Sequence, residues 1–255
     1  LPFYGLCLLN LNDIHTKSII KKISRPFKTF GLDILADYQG KSVNLNSIPS
    51  KFIYIENEKE YEIKSNMPGR HNAMNSLAAI SLARELDVPI KIIQKSIESF
   101  PGIGRRFEIL GEFEINNKKF TWVDDYGHHP TEIKEVIETI QNVWCEQNVL
   151  MVFQPHRYSR TAEHFSQFVD TLKNIENLVL MDIYPANEQP IENISSEELA
   201  HEISTYGVNV KLINDYEELV KFINKTINNN DVLLTMGAGD ISKFNNYYRK
   251  SLKSK

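Results

Sequence analysis

One strand-to-helix junction organises the chain, and it reads Val123-Asp124-Asp125-Tyr126-Gly127-His128-His129-Pro130-Thr131. Two carboxylates, a phenol and two imidazoles are crowded into this short stretch. The residues before it are apolar, as in a buried strand. Pro130 suits the first turn of a helix, where its missing N–H costs nothing. In α/β proteins such junctions hold ligand sites, because strand ends and helix N-termini supply ordered backbone donors. The junction is therefore the first candidate site.

Strands and helices alternate about four times from residue 120 onward. The strands, such as Val149–Phe153, are apolar runs without polar alternation, so we expect a mostly parallel sheet covered on both faces. A two-residue turn at Asn116-Asn117 predicts a hairpin before the first of them. Helical spacing gives two apolar faces, formed by Ile133, Val136, Ile137 and Ile140, and by Phe165, Phe168, Val169 and Leu172. The pattern predicts a Rossmann-like α/β layer.

Polar clusters follow four of the predicted strands, at residues 124–129, 154–160, 184–188 and 236–240. Functional loops of an open parallel sheet lie at the carboxyl ends of its strands. We therefore expect all four clusters at one edge of the sheet.

The first hundred residues have a different pattern. Residues 1–66 indicate short strands and loops, with a hairpin within Lys51–Ile63 and no obvious chemistry. A helix follows over residues 70–86, with a predicted apolar face of Met74, Leu77, Ala78, Ser81 and Leu82. Pro101-Gly102-Ile103-Gly104 then breaks the pattern and marks a candidate domain boundary. The chain opens on Leu1-Pro2-Phe3-Tyr4 without Met or a polar tail, as expected of the middle of a longer protein.

Composition narrows the classes of function. The 255 residues carry a formal net charge of −4, which disfavours nucleic acid as a partner. No apolar run approaches the ~20 residues of a membrane span, so no membrane insertion is expected. Cys7 and Cys145 stand far apart in the sequence. This usage suits a reducing compartment and predicts a cytoplasmic location.

Arg157 and Arg160 follow the apolar strand at Val149–Phe153. A guanidinium binds a carboxylate or phosphate through two parallel hydrogen bonds, which Lys cannot reproduce. The pair could clamp a small anionic substrate, or it could be an exposed pair in a helix-entry loop. Their position at a strand end favours the first interpretation.

His128 and His129 suggest an acid–base or metal site supported by Asp124 or Asp125. Adjacent residues in extended backbone point to opposite sides, so two imidazoles on one ion are disfavoured. One histidine facing a cleft, with the other capping a helix or packing inward, fits better. A metal-dependent hydrolase using His128 and His129 remains the alternative from a different class, and a module that merely binds a ligand is a third.

Two further groups admit two interpretations each. Asn72 and Asn75 share a helix face beside His71 and could bind an adenine edge, although Asn is also a common helix cap. Arg105-Arg106 could contact phosphate across a cleft or form a solvated basic pair. Gly237-Ala238-Gly239-Asp240 lacks the third glycine of the dinucleotide fingerprint and follows the last strand, so NAD binding is disfavoured.

Together these motifs resemble the Mur ligases. The resemblance is carried, in order, by His71-Asn72-x-x-Asn75, Gly104-Arg105-Arg106-Phe107, the Asp124–Glu132 run, Phe153–Thr161, Tyr184…Glu188-x-Pro190-Ile191 and Gly237–Asp240. It covers nearly the whole chain and is strongest from 67 to 245. It implies residues 1–103 as the remnant of a central P-loop-type ATPase domain and residues 104–255 as a Rossmann-like, amino-acid-binding domain. The Gly-x-x-Gly-Lys-Thr/Ser phosphate loop is absent from the 255 residues, so we expect a fragment that is inactive alone.

The resemblance also implies a reaction. ATP, with Mg²⁺, converts the carboxylate of UDP-N-acetylmuramate into an acyl phosphate, which the amine of L-alanine attacks during peptidoglycan precursor synthesis. The phosphate loop and metal ligands would lie outside this chain. A murein-peptide recycling ligase of the same family is the alternative within it.

By resemblance, residues of both parts take roles in that reaction. Those expected to surround the nucleotide are His71, Asn72, Asn75, Arg106, Asp125 and Tyr126. Those expected to bind the amino acid are Arg157, Arg160, His128 and Tyr126. His128 and Arg106 would be catalytic, His128 as a base for the ammonium and Arg106 beside the phosphates.

Overall fold

The computed structural model describes residues 5–253, so the expectation drawn from Leu1 to Tyr4 lies outside the described residues. The chain divides into two compact units, one ending at Gly102 and the other beginning at Ile103. Each unit has its own sheet. Within residues 5–253 no helix is both long and apolar enough to cross a membrane.

The first unit contains a five-stranded sheet in the order β1-β2-β3-β4-β5. Its strands are β1 Cys7–Asn10, β2 Phe27–Leu32, β3 Tyr38–Asn44, β4 Ser50–Glu56 and β5 Lys59–Ser65. The pairs β1–β2 and β2–β3 are parallel, and β3–β4 and β4–β5 are antiparallel. The hairpin predicted within Lys51–Ile63 is confirmed as β4–β5.

The helices of this unit are α1 Ile14–Ile19 with a 3-10 turn at Ile20–Lys22, α2 Arg70–Glu85 and α3 Ile90–Glu98. Residues of α2 and α3 pack in the core with the sheet, whereas α1 has no buried residue. Helix α1 was not predicted from the sequence; it begins where Asp13 accepts a 2.6 Å hydrogen bond from the Thr16 backbone N–H. The predicted face of α2 is partly wrong. Ala73 and Ile80 are buried in it, whereas Leu82 is 55% exposed.

The second unit contains a six-stranded sheet in the order β10-β9-β8-β11-β7-β6. Its strands are β6 Glu108–Ile115, β7 Lys118–Asp125, β8 Val149–Phe153, β9 Asn177–Leu180, β10 Asn209–Leu212 and β11 Asp231–Met236. Every pairing is parallel except β6–β7, which confirms the predicted mostly parallel α/β layer. Asn116 and Asn117 have φ of +50° and +62° and form the expected two-residue turn.

Helices lie on both faces of this sheet. They are α4 Pro130–Val143, α5 Tyr158–Glu163, α6 Phe165–Leu172, α7 Ser196–Ser204, α8 Tyr216–Thr226 and α9 Ile241–Lys253. Side chains of α4, α6 and α7 pack in one buried cluster, and those of α8 and α9 pack in another. The apolar faces predicted for α4 and α6 are confirmed, since Ile133 to Ile140 and Phe168 to Leu172 supply these buried positions.

Candidate functional site

Four strands of the second unit end in register. Asp125 of β7 lies beside Met236 of β11, which lies beside Phe153 of β8, which lies beside Leu180 of β9. The four polar segments that follow these strands therefore lie along one edge of the sheet. This confirms the expectation that the clusters share an edge.

The first of these segments enters α4 through a capping box. His129 is the N-cap, and its Nδ1 accepts a 3.3 Å hydrogen bond from the Thr131 N–H. Glu132 Oε2 in turn accepts from the backbone N–H groups of His128 and His129 at 3.1 and 3.3 Å. His129 is thereby committed to the helix end, and its ring packs 4.5 Å from that of His164. Burial and the neighbouring His164 lower the pKa of His129.

Asp124 is buried, and its carboxylate hydrogen-bonds to several elements of the second unit. It accepts hydrogen bonds from Arg105 Nε at 2.9 Å, Thr235 Oγ1 at 2.9 Å and Asn245 Nδ2 at 2.8 Å. Burial raises its pKa, and the Arg105 guanidinium opposes that rise. One carboxylate thus ties β7 to β11, to α9 and to the segment before β6.

Asp125 is also turned inward. Its two oxygens accept from the backbone N–H groups of Phe107 and Gly127 at 2.7 and 2.6 Å, and only 4% of the residue is exposed. Burial raises its pKa, while these two N–H groups lower it. The carboxylate holds its own loop in place. Its predicted contact with a nucleotide stays a prediction.

The two neighbouring arginines have different surroundings. Arg105 has φ of +60°, pairs with Asp124 and donates from Nη2 to Gly237 O at 2.6 Å. Arg106 forms a 3.8 Å ion pair with Glu132, and its side chain is 48% exposed. Both guanidinium groups lie over the Tyr126 ring, 5.3 and 5.6 Å from its centroid. Arg106 is therefore the one with hydrogen-bonding capacity to spare.

Arg157 and Arg160 lie at the next strand end, around the start of α5. Arg157 adopts φ of +74° and donates its backbone N–H to Tyr184 O at 2.8 Å. Its side chain is half exposed, with Glu188 at 4.0 Å. Arg160 is partly buried, and its Nη1 lies 3.3 Å from both Nδ1 and O of His156. The structure thus brings both guanidinium groups to the edge that holds His128.

A row of rings crosses this edge from β7 to β9. The rings of Tyr126 and His128 meet edge to face with their centroids 5.3 Å apart, and the centroids of the His128 and His156 rings are 5.8 Å apart. His156 stacks on Tyr184 at 5.3 Å with an interplanar angle of 13°. His156 and Tyr184 lie within the sequence motifs Phe153–Thr161 and Tyr184…Glu188, which predicted no role for either residue. The spacing of His156 and Arg160, four residues apart, is the signal that was available for the first.

Glu188 is a second residue that sequence reasoning left without a role. It accepts from the Ser159 N–H at 2.9 Å and from Ser159 Oγ at 2.6 Å. These hydrogen bonds lower its pKa, so it is ionised at neutral pH. Glu188 therefore pins the loop after β9 to the start of α5.

A polar cavity of about 480 Å³ adjoins the row of rings. The loops after β8 and β9 and the starts of α7 and α9 form its walls. Among its lining residues are Gln154, Tyr158, Tyr184, Glu197 and Asp240. Gln154 Oε1 accepts from the Ile241 N–H at 2.9 Å, which fixes the loop before α9 against β8.

The predicted adenine-binding residues all lie in the first unit, on the opening turns of α2. Asn72 is buried, and its Nδ2 donates one hydrogen bond to Pro68 O at 2.8 Å, which leaves Oδ1 and the second amide hydrogen for other partners. Asn75 is exposed and His71 is partly buried. Their role toward a nucleotide stays a prediction.

The fold and the strand-end site define an α/β protein of Rossmann-like type with a basic, histidine-rich edge. Two protein-family models match it: the Mur ligase middle domain over residues 1–83, and the Mur ligase glutamate ligase domain over residues 105–239. The chain therefore belongs to the Mur ligase family.

Similar proteins agree with this membership. UDP-N-acetylmuramate–L-alanine ligases of Vesicomyosocius okutanii and Geobacter sulfurreducens are 40% and 41% identical over 94% of this chain. The chain spans about half the length of these curated relatives, 52% in each case. The UDP-N-acetylmuramate-alanine ligase structure from Thermotoga maritima is 25% identical, with a TM-score of 0.71 over 95% of this chain and 56% of that one. A murein peptide ligase from Psychrobacter arcticus, 18% identical, shares the fold with a TM-score of 0.72 over 99% of this chain and 52% of its own.

Proposed function

We propose that this chain supplies the amino-acid-binding part of an ATP-dependent ligase that joins L-alanine to UDP-N-acetylmuramate in peptidoglycan precursor synthesis. The observation that carries the proposal is the placement of Arg157, Arg160 and His128 along one sheet edge. Two guanidinium groups beside an imidazole suit a ligand that has a carboxylate and an amine on one carbon. Relatives at about 40% identity that bear this name support the choice of substrates.

In the proposed reaction the carboxylate of UDP-N-acetylmuramate attacks the γ-phosphorus of ATP, releasing ADP and forming an acyl phosphate. The deprotonated amine of L-alanine then attacks the acyl carbon. The tetrahedral intermediate expels inorganic phosphate and leaves an amide. The role of this chain is to hold the amino acid, orient its amine and accept its proton.

The phosphates of ATP require groups beyond those in this chain. The Gly40-Lys41-Ser42 run lies within β3, paired to β4, and is not a phosphate loop. Mg²⁺ would offset charge between phosphates and carboxylate. Within residues 5–253 no three His, Cys, Asp or Glu side chains converge to hold a metal ion, so no step here is assigned to it. That missing cluster also weakens the metal-hydrolase alternative.

His128 is suited to accept the proton of the ammonium group. Its Nδ1 lies 3.1 Å from the carbonyl oxygen of Tyr126, and a carbonyl only accepts. Nδ1 therefore carries the hydrogen in the neutral ring, which leaves Nε2 as the basic nitrogen. Glu132, 3.6 Å from Nδ1, stabilises the imidazolium that forms.

The nucleotide-side roles are proposed with these constraints. Arg106 is the arginine with spare donors, so it is the one assigned to the phosphates. Tyr126 presents its ring beneath both arginines and is 36% exposed. His71, Asn72 and Asn75 of the first unit, and separately Asp125 of the second, keep the nucleotide roles that the family resemblance implies for them.

Arginine variants of the full-length gene product test the function. We expect Arg157→Ala and Arg160→Ala each to raise KM for L-alanine by about 10- to 100-fold, since each loses charge-assisted hydrogen bonds. KM for ATP should stay within about twofold. Lys134→Ala, which removes an exposed α4 charge paired with Glu138, is the matched control. Phosphate release as a function of alanine concentration gives the constants. An unchanged alanine KM in both arginine variants would sink the proposal.

A further inference from the structure

Arg160 is held on one side only. Its Nη1 group has two hydrogens, and the structure places two acceptors 3.3 Å away, Nδ1 and the backbone O of His156. Within residues 5–253, Nε and Nη2 of Arg160 have no hydrogen-bond partner. A guanidinium offers its donors in a rigid planar fork. Fixing Nη1 therefore leaves the Nε–Nη2 edge as the pair of parallel donors that a carboxylate needs.

His156 can fill this role only in one protonation state. Arginine has donors and no acceptor, so Nδ1 of His156 must carry a lone pair and Nε2 the hydrogen. Burial and the adjacent guanidinium of Arg160 lower the pKa of His156, which keeps the ring neutral at pH 7. This tautomer is the opposite of the one assigned to His128. The two imidazoles of the row are thus set for different tasks.

The ring of His156 is itself fixed by its neighbours. It stacks on Tyr184 at 5.3 Å, and its backbone forms a bridge with that of Tyr184. The rings of His128 and His156 meet edge to face, with their centroids 5.8 Å apart. Arg157, by contrast, is half exposed, with Glu188 Oε1 4.0 Å from its Nε. A preorganised group loses less conformational entropy when a ligand binds. The hydrogen bonds to His156 therefore lower the entropic cost of carboxylate binding by Arg160.

We infer that His156 is a positioning residue that holds Arg160 with its Nε–Nη2 edge directed at the carboxylate of the amino acid substrate. The inference rests on the proposed function, because it requires Arg160 to bind that carboxylate. His156 does not touch the substrate and acts through Arg160 alone.

Variants of the full-length gene product test this role through KM for L-alanine. His156→Phe keeps a ring to stack on Tyr184 but removes the acceptor, and we expect it to raise alanine KM about tenfold, the effect of one hydrogen bond to a charged group. KM for ATP and kcat should stay within about twofold. His156→Asn and His156→Leu form a matched pair of nearly equal shape in which only Asn has an acceptor near the Nδ1 position. We expect Asn to restore most of the affinity and Leu to behave like Phe.

A double-mutant cycle separates the two proposals. In the Arg160→Ala background, His156→Phe should add no further loss, because the group it positions is gone. Additive losses would overturn the positioning role while leaving the substrate assignment intact. An unchanged alanine KM in Arg160→Ala alone would overturn the positioning role, and unchanged values in both Arg157→Ala and Arg160→Ala would overturn the substrate assignment as well. If His156→Phe fails to fold, the Asn and Leu pair decides: equal alanine KM values for the two would refute the inference.

Discussion

Gly239 leaves no room for a side chain beside the candidate site. A Cβ there would lie 2.6 Å from Gln154 Oε1 and 2.7 Å from Tyr184 Cβ. Gly239→Ala must therefore displace the loop before α9 or the Tyr184 backbone, at a cost of about 1–3 kcal/mol in unfolding free energy. Urea denaturation measures this cost. Gly104→Ala is the control, since its Cβ would meet only Glu108 Oε2 at 3.6 Å and should change stability by less than about 0.5 kcal/mol. Equal effects of both substitutions would contradict the prediction.

Asp124 is expected to be among the costliest polar residues to change. Asp124→Asn removes the charge that faces Arg105 and places an amide donor among the donors of Arg105, Thr235 and Asn245. Removing one partner of a buried pair costs about 3–5 kcal/mol, and the lower end applies because Arg105 stays 23% exposed. Asp170→Asn, which breaks an exposed pair with Lys173, should cost less than about 1 kcal/mol. Thermal and urea unfolding of both variants would show the contrast, and similar costs would refute it.

The kinds of side chain at the site could be predicted from the sequence, but their hydrogen-bond partners could not. The position of Asp124 and Asp125 at the carboxyl end of a predicted strand located the site. The carboxyl ends of parallel strands lie at the same edge of a sheet, where ligands bind. The sequence does not show that both carboxylates turn inward. Their partners, Asn245 for Asp124 and Phe107 for Asp125, lie outside the Val123–Thr131 stretch. Likewise Arg105 and Arg106 look alike in sequence, but Arg105 has a left-handed backbone and binds Asp124 and Gly237, whereas Arg106 pairs with Glu132.

The capping residue Glu132 at the start of helix α4 is expected to make the folding stability depend on pH. Burial alone would raise the pKa of Glu132, but hydrogen bonds from the His128 and His129 N–H groups and nearby positive charge lower it below its ordinary value of 4.5. A carboxyl with a lowered folded-state pKa contributes stability above its unfolded pKa and loses that contribution as pH falls through the folded value. Glu132→Gln keeps the capping geometry and removes the charge. We expect the native protein to exceed it in stability by about 0.3–1 kcal/mol at pH 7.

This advantage should vanish as the pH falls below 4.5, where the native carboxyl takes up its proton. Urea unfolding of both proteins between pH 7 and pH 3.5 measures the difference. Glu138→Gln, an exposed change on the same helix, serves as the control and should show no such trend. A constant gap between Glu132→Gln and the native protein across this range would show that charge at the cap plays no part.

Elements were predictable where a local signal was strong. Pro130 marked the start of α4, and the apolar spacing identified its buried face. Helix α2 shows where local pattern fails: Leu82 fits the spacing but is exposed, because the sheet contacts fall on Ala73, Leu77 and Ile80. The short α1, with no buried residue, leaves no apolar periodicity to detect.

At the scale of the whole molecule, the order of the strands in the sheet could not be predicted from the sequence. Alternation of strands and helices predicts a parallel layer, but the last strand, β11, inserts between β7 and β8. That insertion is a pairing between distant parts of the chain, and no local pattern encodes it. It is also what places Gly237 and Gly239 against Gln154, in the middle of the edge that carries the site.

The two units carry separate cores, and this separation can be measured. Leu77 of α2 lies fully buried in a cluster whose members end at Ile97, and Leu234 of β11 lies fully buried in one whose members begin at Phe107. Leu-to-Ala substitution at such positions costs about 2–5 kcal/mol through lost burial and the cavity left behind. Because the clusters share no residue, we expect Leu77→Ala to speed hydrogen exchange only of protected amides within residues 5–102. Leu234→Ala should do so only within residues 103–253. Leu86→Ala, at a position 69% exposed, should change neither set. Loss of protection spread evenly over both units by either core variant would show that the chain unfolds as one cooperative body.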